Sequence, residues 1–326
     1  MDEVSLESIG ISWKGPPNLW HTIPKSILPK CSMKGVVTDI SGNILFSLKP
    51  KHALGSGSFG HVDAFHRIGN DVKVVAIKRP KHPSLNLLLE ALFQWKLHND
   101  LIEYGIESCI PRVYDIFSYK SSGDIWFTME SFEPNMLSYW CMNHITASNN
   151  LFPLVLLQIA LILEVFEQAL KIDHRDLKIN NMLVVEEAVT FKITWEGVRK
   201  ELTFPFRIVI IDFGFACLGK ILNIHDGLPN VDVCPKEGRD IFQIIVSFWS
   251  IQNLRTVLES VWGNWIRQRI ESASSEKTRG SYTRLTESAK NIDWMYTATE
   301  DPAFRAPLCV PWIIIRDCMK ALEGFL

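Results

Sequence analysis

The sequence contains no Cys-x-x-Cys pair, no zinc-ligand spacing, no surplus of basic residues and no uninterrupted apolar run of membrane length. Each absence closes off a class of protein. The seven cysteines (Cys31, Cys109, Cys141, Cys217, Cys234, Cys309 and Cys318) match neither a redox motif nor a zinc site. They read as free thiols of a reducing intracellular compartment, cytoplasm or nucleus. A formal net charge of −2 excludes a general binder of nucleic acid or of anionic membrane surfaces. The most apolar stretch, 151–163, is broken by Pro153 and Gln158 and runs into Glu164, which predicts a buried core helix and no membrane partner. The opening residues Met-Asp-Glu-Val lack the basic-then-apolar pattern of a secretory signal, so none is expected. With 326 residues, 47 % hydrophobic and 21 % charged, the chain has apolar material for two cored lobes. The sequence sets no oligomeric state.

Along the chain the texture changes twice. Residues 1–50 carry scattered Gly, Pro and Ser, and are expected to form a loosely structured extension with a strand near Ile44 to Phe46. Residues 51–134 read as mostly β with one helix over 85–101. Their last two strands, 112–119 and 125–130, are joined by the polar turn Lys120-Ser121-Ser122-Gly123-Asp124. Residues 135–326 read as mostly helical, with helices over 152–171, 240–251 and near 311–323. Alternation around Glu196-Gly197 predicts an added hairpin near 191–206, and the polar stretch 271–290 reads as a surface loop with few helices after 250.

Four short segments carry chemistry. His174-Arg175-Asp176-Leu177-Lys178-Ile179-Asn180-Asn181 places a carboxylate, an ammonium and a carboxamide at i, i+2 and i+5. Those groups suit phosphoryl transfer: one takes a hydroxyl proton, one neutralises the moving phosphoryl group, one holds a metal ion. Gly55-Ser56-Gly57-Ser58-Phe59-Gly60-His61-Val62 lies between strand-like residues, where glycines let backbone N–H groups approach phosphate oxygens. A dinucleotide site would open a helix and place an acid about 20 residues on; here Lys78 stands 18 beyond Gly60. Lys78 ends the run Val75-Ala76-Ile77-Lys78, and Glu90 is the best carboxylate to fix it, ahead of Glu103 and Glu107. Asp212-Phe213-Gly214 follows an apolar strand and suits a metal ligand on a turn. Each segment alone also suits a plain reading: a charged turn, a flexible hairpin, a solvated lysine, a turn-forming aspartate.

Taken along the chain as glycine loop, strand lysine, His-Arg-Asp-Leu-Lys segment and Asp-Phe-Gly, the four segments closely resemble the protein kinase superfamily over roughly residues 52–250. The Asp-Leu-Lys triplet at 176–178 is similar to the serine/threonine branch. The resemblance implies an α+β, bilobal fold: a β-rich N-lobe with one main helix over 51–134 and a mostly helical C-lobe over 135–326. It implies ATP and Mg2+ (or Mn2+) as cofactors and a protein as acceptor. Asp176 would be the catalytic base, Lys178 the phosphate neutraliser, Asn181 and Asp212 the metal ligands, and Lys78 with Glu90 the phosphate anchor. Leu54, Gly55, Gly57, Ser58, Phe59 and Gly60 would cover the phosphates, and Val62, Ala76 and Leu183 would sandwich the adenine. Met129 would be the gatekeeper, Glu130 to Phe132 the hinge, and Asp240 the buried aspartate that steadies the catalytic loop.

The chain also departs from that family. Lys78 and Glu90 are closer in sequence than usual, and Gln94 stands where an apolar residue is the norm. Residues 215–238 contain no Ser, Thr or Tyr and no Ala-Pro-Glu triplet; Pro235-Lys236-Glu237 lies only three residues before Asp240. Activity is therefore expected not to need phosphorylation there, with Asp226 or Asp232 pairing with Arg175 instead. In this reduction the chain is similar to divergent kinases, including some of large DNA viruses. The missing triplet keeps a small-molecule kinase on the same fold as an alternative. A pseudokinase scaffold is disfavoured by the presence of Lys78, Asp176, Asn181 and Asp212.

Overall fold

The structure is a computed structural model that describes residues 3–57, 60–69, 71–82, 85–133, 135–195, 197–224, 234–273 and 293–323. The chain divides into two compact units, Met1–Glu103 with Ile110–Pro134, and Tyr104–Cys109 with Asn135–Leu326.

In the first unit a short hairpin, β1 (Val4–Ser5) with β2 (Lys14–Gly15), precedes a closed barrel. Its strands are β3 (Lys30–Cys31), β4 (Val36–Thr38), β5 (Ile44–Ser56), β6 (Gly60–Ile68), β7 (Val72–Pro80), β8 (Val113–Tyr119) and β9 (Ile125–Glu130). Around the barrel they run β3-β4-β5-β6-β7-β9-β8, and a parallel pairing of β3 with β8 closes the ring. Alternation decides what faces in: Val75 and Ile77 join Cys31, Val37, Phe46, Leu48 and Phe117 in one core cluster. Ala76 and Lys78 point to the opposite face and are buried there too, which is why this strand reads as a continuous apolar run. The helix α1 (Leu88–Leu101) follows β7.

The expectation of a loosely structured leader is corrected. Residues 3–50 supply β1 to β4 and the start of β5, and bury Leu6, Ile11, Trp20 and Leu28 completely. Strands β1 to β4 are two or three residues long, too short to show a period, and β3 pairs with the distant β8.

The second unit begins with α2 (Leu137–His144) and α3 (Leu151–Glu164), which a π-turn over Val165–Leu170 extends. By length and composition Leu151–Leu170 could cross a membrane, yet Phe152 to Leu163 are all buried within the unit, as in a core helix. Gln158 within it donates to Phe206 O (3.0 Å) and accepts from Ile208 N, so its amide is satisfied inside the apolar core. After β10 (Ile172–Asp173), β11 (Met182–Val185) leads into the hairpin β12 (Val189–Trp195) and β13 (Val198–Phe204), and β14 (Arg207–Ile210) returns to pair with β11. Next come β15 (Cys217–Leu218) and β16 (Leu222–Asn223), with β15 between β10 and β16. Among the described residues the helices α4 (Arg239–Ser250), α5 (Gln252–Ser272), α6 (Asp293–Glu300) and α7 (Pro311–Ala321) follow. The expected scarcity of helix after residue 250 is corrected by the 21-residue α5 and by α6. The expected polar loop over 271–290 lies almost wholly outside the described residues.

A second correction concerns the cysteines. Cys217 and Cys234 form a disulfide with Cα atoms 6.5 Å apart. The other five are free and buried. The bonded pair is 17 residues apart in sequence, a spacing that matches no motif.

Candidate active site

In the first unit, β6, β7 and β9 build one set of candidate residues. Val62 lies opposite Lys78, and Met129 opposite Ala76, so all four share one face of the sheet. Lys78 Nζ is 2.5 Å from Glu90 Oε1, with both side chains buried. Glu90 is in the first turn of α1, and the helix begins late enough for its carboxylate to meet β7 despite the short sequence separation. Gln94, one turn on, donates to Pro111 O (2.8 Å) and lies 3.6 Å from Met129 Sδ. Its amide is thus bonded where an apolar side chain was the expected norm.

The glycine turn is closed by a bond from Gly57 N to Gly60 O (2.9 Å). At Gly60 a Cβ would stand 2.6 Å from Arg79 O, so no side chain fits. Gly55 pairs with Val62, and Leu54 sits beside a register shift in β5. Ser58 and Phe59 lie outside the described residues. Glu130 N donates to Arg112 O (2.8 Å), so that N–H is already used within the unit. Phe132 follows the end of β9 and is half-buried.

In the second unit, α4 holds the loop at 174–181. Asp240 Oδ2 accepts from His174 N (2.7 Å) and Oδ1 from Arg175 N (3.0 Å). Gln243 accepts from Leu177 N (3.0 Å) and donates to Arg175 O (2.8 Å). Ser247 Oγ accepts from Ile179 N (3.2 Å). The bonds hold Arg175 at φ 67°, a left-handed conformation that costs a non-glycine residue about 1–3 kcal/mol. Asp212 also has φ 67°. His174 is fully buried and tilted against the Phe213 ring (5.0 Å), and its Nε2 lies 3.1 Å from Ile211 O. Burial pushes its imidazole below the ordinary range, so the neutral ring is favoured.

Asp176 is enclosed by donors. Oδ1 accepts from Lys178 Nζ (2.9 Å) and Tyr296 Oη (2.6 Å), and Oδ2 from Lys178 Nζ (3.0 Å) and Asn181 Nδ2 (2.9 Å). Asn181 Nδ2 also donates to Asp176 O (2.8 Å), so its amide oxygen is the atom left to meet a cation. An amide oxygen and the Asp212 carboxylate are the kind of oxygen donors that magnesium or manganese prefers, so these two residues could hold such an ion. Leu183 lies on β11 opposite Val209 and is nearly buried.

Below the loop, Asp173 pairs with Arg239 (2.6 Å) and accepts from Lys236 N (2.7 Å). Burial raises the affinity of Asp173 and Asp240 for a proton, and Arg239 opposes that rise at both. Asp173, Cys217 and Cys234 cluster within 4.8 Å, but sulfurs joined to each other offer no thiolate to a metal. Asp226 and Asp232, proposed as partners of Arg175, lie outside the described residues.

Sequence reasoning missed Gln243, Ser247 and Tyr296. The first two had a signal: with Asp240 they stand at i, i+3 and i+7 of a helix that is otherwise nearly all apolar, a polar stripe on a buried face. Tyr296 had none.

A family model for the protein kinase domain matches residues 48–223, more than half of the chain. The chain therefore belongs to the protein kinase family, with the family's bilobal fold and kinase-type phosphotransferase chemistry. No curated protein sequence matches it.

Proposed function

We propose that this kinase transfers the γ-phosphoryl group of ATP, with magnesium, to a serine or threonine hydroxyl of a protein. The observation that carries the reading is Asp176 held between Lys178 and Asn181 on a loop fixed by Asp240. An acceptor hydroxyl gives its proton to Asp176 as its oxygen attacks the γ-phosphorus, the bond to the β-phosphate's bridging oxygen breaks, and ADP leaves. Lys178 neutralises charge on the group in transit. Lys78, held by Glu90, grips the remaining phosphates. Asn181 and Asp212 would hold the metal ion, which supplies charge neutralisation on the phosphates.

Purified protein with radiolabelled ATP and a generic protein acceptor is expected to label the acceptor. Asp176→Asn should lower kcat by about 10²–10⁴-fold while nucleotide binding persists. Equal labelling by wild type and Asp176→Asn would sink the reading. A second reading, a small-molecule acceptor, is favoured by one observation. The triplet nearest to Ala-Pro-Glu has its Lys236 fully buried, donating to Thr299 O (2.9 Å) and Glu300 O (3.1 Å). Label recovered only in small molecules would select it.

A further inference from the structure

We infer that Tyr296 is a positioning residue for the catalytic base, the donor that keeps the Asp176 carboxylate in place during turnover. The inference rests on the functional reading above and concerns a residue outside the matched range of 48–223.

A carboxylate offers about four lone-pair sites. In this structure the four hydrogen bonds to Asp176 Oδ1 and Oδ2 fill them: two from Lys178, one from Asn181 and one from Tyr296. Such a carboxylate has no place left for an acceptor hydroxyl. In the proposed reaction Lys178 turns to the phosphoryl group, which opens one site on each oxygen, while Asn181 keeps its Nδ2 bond to Oδ2 and would offer its amide oxygen to the metal. Tyr296 has neither task, so it alone stays on Oδ1 and fixes the plane of the carboxylate.

The direction of its bond is set. Lys178 Nζ lies 3.1 Å from Tyr296 Oη and can only donate. The phenol proton must therefore point to Asp176. Burial and the adjacent carboxylate also push the phenol well above its ordinary range, so it remains a donor.

The helix that carries Tyr296 is tied to the same loop. Thr299 Oγ1 accepts from Gln243 Nε2 (3.1 Å), and Gln243 in turn holds Arg175 O and Leu177 N. Lys236 binds the last carbonyls of α6. Met295 and Ala298 are fully buried, and the Trp294 ring meets Phe242 edge-on at 6.3 Å. A side chain seated this firmly is a fixed part of the loop's support, not a plug that departs to admit substrate.

Tyr296→Phe removes only the hydroxyl. The expected result is a kcat lowered about tenfold, a part of what a positioned base contributes, with the KM for ATP and the affinity for a non-hydrolysable ATP analogue within about twofold of wild type. In an Asp176→Asn background the same change should cause no further loss, a coupling that a merely structural residue would not show. Peptide mass analysis after incubation with MgATP should find Tyr296 unmodified. Unchanged kcat, higher kcat, additive losses or phosphate on Tyr296 would each overturn the inference; the last two assign Tyr296 to general stability or to the acceptor role. Wild-type protein that labels no acceptor would sink the functional reading and this inference together, whereas normal wild-type turnover with an unaffected variant would sink the inference alone.

Discussion

Asp240 shows how one buried side chain fixes the backbone of a loop far from it in sequence. Its two oxygens take the N–H groups of His174 and Arg175, just before Asp176. Asp240→Ala would strand both donors inside the unit, at about 1–3 kcal/mol each. The expected outcome is a loss of about 2–6 kcal/mol in chemical denaturation together with a lower kcat; an unchanged midpoint would refute it. Glu167 illustrates the opposite kind of residue. It is pushed up to about 8 from an ordinary 4.5, chiefly by burial and then by Asp173, Asp240 and Glu164. The folded form therefore holds a proton that the unfolded chain has lost, and stability falls as pH rises from about 4.5 to about 8. Glu167→Gln should flatten that fall and raise the melting temperature at pH 8 relative to wild type, while changing little at pH 4.5. Thermal melts across that range check it.

At the scale of elements, α4 acts as a ruler: Asp240, Gln243 and Ser247 along one face meet His174, Arg175, Leu177 and Ile179 in sequence order. The disulfide works differently. It ties β15, just after Asp212-Phe213-Gly214, to Cys234 across a separation of 17 residues. Closing a loop of that size stabilises by about 3 kcal/mol in the chain-entropy account. Dithiothreitol should lower the melting temperature of the oxidised wild type by several degrees and leave Cys234→Ser unmoved; equal behaviour of the two would count against the tie. These two elements also mark what could be read in advance. The loop at 174–181, the Lys78 strand and the hairpin at β12 and β13 announce themselves because their chemistry or alternation sits within a few consecutive residues. Glu90 stood out because it was the carboxylate on the helix after the lysine strand. Tyr296 lies 120 residues from Asp176, and the two bonded cysteines follow no spacing rule. Such pairings exist only in the folded chain, so no local pattern could announce them.

At the scale of the whole molecule, the family match begins at residue 48, but the first unit does not. Cys31, Val37 and Phe46 belong to its core cluster, and β3 and β4 close the barrel. A chain beginning at residue 48 would expose Leu48, Val75, Ile77 and Phe117 and leave edges on β5 and β8. It should be insoluble or lack the barrel's circular dichroism, whereas the full chain folds; a soluble shortened chain with native spectra would contradict the barrel's dependence on residues 30–47.

The parallel closure carries one more consequence, and it concerns time. Ser118 donates to Pro29 O across 89 positions, beside the pairing of β3 with β8. A ribosome adds about 5–20 residues per second, so β3 emerges on the order of ten seconds before its partner exists. During that interval Cys31, Val37, Phe46 and Leu48 have no barrel to enter. β3 is made early yet is among the last strands that can settle, and its two residues keep small the apolar surface it exposes while waiting.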